Sequence, residues 1–237
     1  QPKGIFFNHR RMLHDIIVHV NTAHICPDDR IIQLRKLSFG AGIKDLFRTL
    51  LSGASIFPYA INEAGMAPLA VFLVNEKITV YSPGASTFRH FISQLSGAEK
   101  FPLIRLVILG GGSISKDDVE AYRRVFSEDC LLLHHLSSTE TGLVCQHFIT
   151  KDSKLNTAVV PVGYPVEGKE VLLLDENGRN VGPEGVGEIA VRSPYLSSGY
   201  WGNPELTNSK FVPDPDRFGQ HICLTGDLGR MRLDGCL

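Results

Sequence analysis

LIRLVILGGGSISKDDVEAYRRVFSEDCLLLHH, residues 103–135, decides the fold. Leu103–Leu109 is an apolar run of strand length. Gly110–Ser113 is a glycine turn. Ser115 and Asp118 then form an S-x-x-D capping box that opens a helix with Val119, Tyr122 and Phe126 on one face. Cys130–His135 is a second strand. Strand, helix and strand in this order make a βαβ unit, whose parallel pair belongs in a sheet covered by helices.

Working outward, the same alternation holds on the N-terminal side. Met12, Leu13, Ile16, Ile17 and Val20 mark a helix over Arg10–Val20. Ile31–Leu34 reads as a strand, Ile43–Leu51 as a helix and Ser55–Tyr59 as a strand. Met66–Glu76 follows as a helix and Ile78–Ser82 as a strand. Pro83 and Gly84 turn the chain, and Ser86 is placed to cap a helix through Leu95. Past residue 155 the texture changes. Turns crowd in at Asp175–Gly178, Gly182–Gly185 and Pro213–Pro215. Between them lie KEVLLLD, GEIAVRS, HICLTGD and GRMRL, with a hairpin signal at Asn177-Gly178. The expected architecture is α/β. Residues 1–155 form a mostly parallel, helix-flanked sheet, and residues 156–237 form an antiparallel, barrel-like part.

The composition narrows the function. Of 237 residues, 43% are hydrophobic and 21% charged, which suits a packed core. A net charge of -1 without a basic stripe argues against nucleic acid as a partner. The five cysteines are widely spaced and include no CxxC, as expected of free thiols in a reducing cytosol. No apolar run reaches the roughly 18 residues of a membrane span. A cytoplasmic protein without a membrane partner is expected.

Polar chemistry gathers at strand ends. HHLSSTETG, His134–Gly142, follows the apolar CLLL. Ser137, Ser138 and Thr139 carry hydroxyls that suit phosphate oxygens, and Glu140 is a hard oxygen ligand that suits Mg²⁺. His134 and His135 are adjacent, so in a strand they face opposite ways and cannot share a metal. His134 is either a ligand or a hydrogen-bonded histidine at the sheet edge. Gly110, Gly111 and Gly112 let the backbone approach a ligand, or serve a tight strand-to-helix turn. Both clusters sit at the carboxyl ends of strands, where ligands collect in open α/β sheets. A serine hydrolase is disfavoured, because no G-x-S-x-G elbow is present. In LTGDLGR, Asp227 can accept a ribose diol or be a turn aspartate. Lys3, in QPKG, either meets a phosphate or is a terminal residue without a role.

Together these motifs resemble the adenylate-forming, AMP-binding enzymes: acyl-CoA synthetases, luciferases and the adenylation domains of nonribosomal peptide synthetases. QPKG is similar to the tail of the family's phosphate loop, and STETG to its Thr-Glu motif. GEIAVRSPYLSSGYWGNPELT and LTGDLGRMRLDG are similar to its Gly-Glu-led and Thr-Gly-Asp motifs. They occur in family order, and the wording is nearest to peptide-synthetase adenylation domains. The resemblance implies ATP and Mg²⁺ as cofactors. It places Lys3, Gly110–Gly112 and His134–Thr139 around the nucleotide, with Thr139 at the α-phosphate, Glu140 on Mg²⁺ and Asp227 on the ribose. Leu136 stands where the family often has Tyr, and Ser137-Ser138 where peptide synthetases usually have Gly-Pro.

The acyl pocket implied by the same resemblance comprises Gly40, Ala41, Lys44, Ser82, Ile108, Gly110, His135, Leu143 and Val144. In LSFGAGIKDLF, Gly40 replaces the aspartate that pairs with an α-ammonium in these synthetases. A substrate without a free α-ammonium is expected, with Asp45, one turn on, as a candidate replacement. Lys44 either meets a second carboxylate or is a solvated helix residue. The implied reaction joins a carboxylic acid to AMP with release of pyrophosphate, for transfer to a carrier-protein phosphopantetheine thiol. A free-standing acyl-CoA ligase and an inactive nucleotide-binding fragment are the alternatives. The family's C-terminal lid and the start of its phosphate loop are expected to lie outside these residues, leaving this stretch weak or inactive alone.

Overall fold

The computed structural model describes residues 3–155, 157–214 and 216–237. Gln1 and Pro2 of QPKG, Asn156 and Pro215 of the expected Pro213–Pro215 turn lie outside the described residues. In chain order the first elements are β1 (Ile5–Phe6), α1 (His9–Thr22), β2 (Arg30–Gln33), α2 (Gly40–Ser52) and β3 (Ser55–Pro58). Next come α3 (Ile61–Ala64), α4 (Leu69–Asn75), β4 (Val80–Tyr81), α5 (Ala85–Ser93), β5 (Leu106–Leu109), α6 (Lys116–Val125) and β6 (Leu131–Ser138). The remainder is β7 (Gly142–Ile149), β8 (Tyr164–Pro165), β9 (Glu170–Leu174), β10 (Val186–Arg192), β11 (Gly199–Tyr200), α7 (Pro204–Lys210), β12 (Phe211–Pro213) and β13 (His221–Arg230).

These elements group into two compact units that interleave in sequence. One comprises His19–Leu136 and His147–Val160, the other Gln1–Val18, Ser137–Gln146 and Pro161–Leu237. The first carries the parallel strands in the order β3-β2-β4-β5-β6. The founding βαβ unit is there, with Leu106 paired to Leu131 and Leu109 to His134. The capping box is real: the Asp118 N–H meets Ser115 Oγ and the Ser115 N–H meets the Asp118 carboxylate. One core cluster of this unit gathers Tyr81, Phe88, Phe91, Phe101, Tyr122 and Phe126 with the aliphatics of β5 and β6. Burying each such ring is worth about 1.5–3 kcal/mol.

Two local expectations change. The helix expected over Met66–Glu76 is the shorter α4, Leu69–Asn75, with Pro68 at its N-cap; a separate one-turn helix, α3, precedes that window and ends at Gly65, which turns at φ 80°. Ser86 does not cap α5. Gly84 holds the N-cap position without a side-chain bond, because the Ala85 N–H and the Gly84–Gly110 bridge set where the helix begins.

The second unit holds an antiparallel sheet of order β12-β13-β10-β9. The Asn177-Gly178 turn exists, with Gly178 at φ 75°, but inside a longer β9–β10 connection. HICLTGD and GRMRL are not two strands. LTGDLGR lies within β13, whose pairing with β10 slips between Glu188 and Ala190. Asp227 therefore sits at a bulge rather than in a turn between strands. A bulge tilts its residues out of the ladder.

Candidate functional site

β6 continues through Leu136, Ser137 and Ser138, so only Thr139–Thr141 remain to turn the chain into β7. The reason is local. Ser138 Oγ accepts the N–H groups of Glu140 (3.2 Å) and Thr141 (3.0 Å), closing a hydroxyl-capped turn. Ser138 Oγ also pairs with Thr141 Oγ1 at 2.9 Å. The Ser138 hydroxyl thus serves the turn itself. Gly142 follows at φ 77°, and a Cβ there would overlap the carboxylate of Asp15.

The three carbonyls of this turn are each held by a different segment of the same unit. Arg11 Nη2 donates to Thr139 O at 2.6 Å. The Ser197 N–H donates to Glu140 O at 2.9 Å. Lys169 Nζ donates to Thr141 O at 2.7 Å. Arg11, Asp15 and Lys169 are all buried, and Lys169 Nζ lies 3.9 Å from Asp15 Oδ1. Burial drives the Arg11 pKa down, and the neighbouring Asp15 and Glu140 act against that shift. Buried charges are costly unless hydrogen-bonded and paired; Lys169 and Asp15 pair, whereas Arg11 has its bond to Thr139 O and leaves Nε and Nη1 without a hydrogen-bond partner among the described residues.

The Glu140 side chain is held as well. Tyr200 donates its hydroxyl to Glu140 Oε1 at 2.6 Å. Burial, then Glu140, raises the Tyr200 pKa, so the phenol stays a donor at neutral pH. Tyr200 is placed by pairing of β11 with β1, where Ile5 faces it. Lys3 Nζ lies 5.7 Å from the Tyr200 ring centroid. Lys3 and Glu140 thus meet at one tyrosine. Thr139 is exposed beside them. Asp227 is exposed on β13, and its own N–H bonds Thr225 Oγ1 at 3.1 Å.

In the other unit Gly110 has a packing reason to be glycine, since a Cβ there would overlap the His135 ring. Gly111 turns at φ 73° with open space around it, and Gly112 approaches Ala85. His134 is buried, and Ile108 packs in a core with Ile31, Val80 and Leu133. Ser82 Oγ accepts from Arg35 Nη1 at 3.4 Å. Gly40 and Ala41 open α2, and Lys44 is half-buried on it. Asp45 is paired with Arg48 at 2.8 Å and Arg35 at 3.5 Å. Burial foremost, then the cations Arg35, Lys44 and Arg48 together with His134, keeps the His135 pKa well below its ordinary value. Leu143 and Val144, on β7, belong to the unit that carries Glu140.

Sequence reasoning assigned no role to Arg11, Asp15, Lys169, Ser197 or Tyr200. The one readable signal was Arg11 and Asp15 four apart, a charged pair on one helix face.

Solved structures define the class. FmoA3, titled a nonribosomal peptide synthetase, superposes with a TM-score of 0.90 at 26% identity, over 99% of this chain and 26% of that one. CmiS6 superposes with a TM-score of 0.89 at 27% identity, over 100% and 57%. The shared fold is an α/β, mostly parallel sheet with an antiparallel four-stranded sheet. The AMP-binding enzyme family matches residues 1–201, and the chain belongs to that family. Surfactin synthase subunit 1 of Bacillus subtilis (strain 168) is 30% identical over 236 residues, 99% of this chain and 6% of that protein. Tyrocidine synthase 1 of Brevibacillus parabrevis is 25% identical over 240 residues, 100% of this chain and 21% of that protein. The chain thus spans a small part of these curated relatives.

The donor set around Glu140 fits a Mg²⁺ ion. No cluster of three or more His, Cys, Asp or Glu exists among the described residues, so no all-protein metal cage is present. Mg²⁺ characteristically takes one or two carboxylates and completes its shell with phosphate oxygens and water. Glu140 Oε2, which carries no hydrogen bond among the described residues, is the oxygen that would hold it. No helix among the described residues is long and apolar enough to cross a membrane.

Proposed function

We propose that the chain activates a carboxylic acid with ATP. A carboxylate oxygen of the acid attacks the α-phosphorus. The bond from that phosphorus to the bridging oxygen breaks, and pyrophosphate leaves with the electron pair. The product is the acyl adenylate. The observation that carries this reading is the Thr139–Thr141 turn, whose three carbonyls each accept a hydrogen bond from another segment while Thr139 stays exposed and Glu140 is aimed by Tyr200. A turn braced in this way suits transition-state positioning, which is most of what phosphoryl-transfer catalysis requires.

In this reading Thr139 donates to the α-phosphate, and Lys3 neutralises phosphate charge. Asp227 accepts the ribose hydroxyls, and Gly110–Gly112 with His134–Ser138 border the nucleotide. Mg²⁺ would be held through Glu140 and would supply charge neutralisation at the phosphates. Gly40, Ala41, Lys44, Ser82, Ile108, Gly110, His135, Leu143 and Val144 form the acid pocket. The α/β part over 1–155 and the β-rich part over 156–237 each contribute. The acid lacks a free α-ammonium: Gly40 offers no carboxylate, and Asp45 is already paired to two arginines. A buried ammonium without a counter-charge costs several kcal/mol. Likeness to a protein titled a nonribosomal peptide synthetase favours a carrier-bound phosphopantetheine thiol as acceptor over free CoA.

Two measurements test this. Calorimetry with Mg-ATP on Glu140→Ala and Asp227→Ala is expected to show binding weakened about tenfold or more for each, the scale of a lost charge-assisted contact. Binding unchanged in both variants rejects the nucleotide site. ATP–pyrophosphate exchange on the intact parent protein is expected to favour aryl, keto, hydroxy or fatty acids. A clear preference for α-amino acids over their keto analogues rejects the pocket assignment.

A further inference from the structure

The geometry points to Tyr200 as a positioning residue that presents Glu140 to a small, hard divalent cation through one oxygen only. This rests on the reading above, in which Glu140 faces the cation that accompanies ATP.

Both ends of Glu140 are tethered. Its carbonyl accepts the Ser197 N–H at 2.9 Å, and its Oε1 accepts the Tyr200 hydroxyl at 2.6 Å. The tyrosine is itself fixed. It is 5% exposed, and its ring packs in a cluster with Phe211, Cys223, Ile5, Leu196 and Leu206. Its N–H is bonded to Thr207 Oγ1 at 3.0 Å. Arg11 and Lys169 hold the carbonyls on either side of Glu140, so the backbone that carries the carboxylate cannot swing to compensate. With Oε1 taken, Oε2 is the atom left to a cation, and its direction is set.

One fixed oxygen is a selective offer. Mg²⁺ demands short bonds and near-ideal octahedral geometry. Ca²⁺ takes longer bonds, more ligands and both oxygens of a carboxylate readily. The hydrogen bond on Oε1 competes with the two-oxygen mode and so favours the smaller ion. Removing the phenol hydroxyl frees Oε1, loosens the carboxylate and opens that mode to Ca²⁺.

The test is calorimetric binding of Mg-ATP and Ca-ATP to the full chain. Tyr200→Phe is expected to weaken Mg-ATP binding about tenfold and Ca-ATP binding by no more than about threefold, so that preference for Mg²⁺ falls at least about threefold. Glu140→Asp, whose carboxylate is withdrawn by one methylene from the phenol, is expected to lower the same ratio. It provides a second reading should Tyr200→Phe fail to fold. A merely structural role would weaken both complexes equally. An unchanged Mg²⁺-to-Ca²⁺ ratio in a folded variant, with Glu140→Gln weakening Mg-ATP binding about tenfold or more, overturns the inference and leaves the nucleotide site standing. Mg-ATP binding untouched by Glu140→Gln overturns that site, and the inference with it.

Discussion

Arg48 donates through Nη2 to Asp45 Oδ1 at 2.8 Å within helix α2, and the two side chains are only 5% and 4% exposed. The pair explains how a helix carrying two charges on its inner face can be buried at all. It also commits Asp45 to the protein. Replacing it by Asn strands the Arg48 guanidinium in a low-dielectric site. Asp45→Asn is expected to lower unfolding free energy by about 3–5 kcal/mol, read by urea denaturation. The double change Asp45→Leu with Arg48→Met should cost less than the two single changes summed, because it leaves no unpaired charge. Simple additivity would show that the pair is not coupled.

Arg48 also donates through Nη1 to His19 Nε2 at 3.0 Å. An arginine only donates, so that nitrogen must accept and the ring must be neutral. Burial foremost, then Arg48, His135 and Lys44, holds the His19 pKa well below its ordinary value. His14 and His135 shift the same way, again chiefly by burial. A histidine unfolds to a pKa of about 6.5, so below that pH the unfolded chain binds more protons than the folded one. Stability from these groups is complete above about pH 6.5 and drains away as pH falls toward the lower folded values. Denaturation midpoints between pH 8 and pH 5 should therefore decline, and His19→Gln, which keeps an acceptor for Arg48, should flatten the decline. A wild-type profile flat across that range removes the argument. The carboxylates act lower down. Burial alone would raise the Asp118 pKa, but two hydrogen bonds from Arg89 bring the net shift downward, so its contribution fails only below about pH 4.

Lys151 closes the C-terminal end of helix α6. Its Nζ donates to Tyr122 O at 3.2 Å, Arg123 O at 3.0 Å and Phe126 O at 2.7 Å. Tyr122 O also accepts the Phe126 N–H at 3.1 Å, whereas Arg123 O is one of the carbonyls a helix end leaves without an intrahelical partner, at its negative pole. Lys151→Met keeps most of the stem and removes the charge. A loss of about 1–3 kcal/mol in thermal or urea unfolding is expected. A change within about 0.5 kcal/mol, the range of an ordinary surface substitution, would mean that water caps the helix just as well.

Gly142→Ala tests the turn from below. The residue sits at φ 77°, and the new methyl would run into the buried Asp15 carboxylate. Left-handed backbone alone costs a non-glycine residue about 1–2 kcal/mol. Moving Asp15 disturbs its ion pair with Lys169, and with it the bond to Thr141 O. The expected result is a destabilised protein with Mg-ATP affinity reduced beyond what its folded fraction explains. Normal stability with normal affinity would show that the turn tolerates a shift.

How much of this was legible differs by feature. The βαβ unit could be read because its strand runs, glycine turn and S-x-x-D box are local patterns, each bonded within a few residues. The late start of the Met66–Glu76 helix, at Leu69, was missed although Pro68 was in view, because apolar periodicity ran unbroken across it. The LTGDLGR bulge was missed because a Gly-Asp pair looks alike in a turn and in a strand. Only the partner's slipped register at Glu188 tells them apart. Thr139, Glu140 and Asp227 could be nominated from their chemistry. What holds them could not.

By itself, the order of residues determined the alternation of strands and helices, the change to antiparallel structure, the family and the candidate polar groups. All of these follow from side-chain period, backbone sterics and residue chemistry over short spans. Tertiary structure alone decided that Arg11, 128 residues from Thr139, would meet its carbonyl. It alone decided that Tyr200, 60 residues beyond Glu140, would take one of its two oxygens. Such meetings carry no local signature. They depend on which buried groups must find a partner once water has been excluded, and that is settled only when the whole chain has packed.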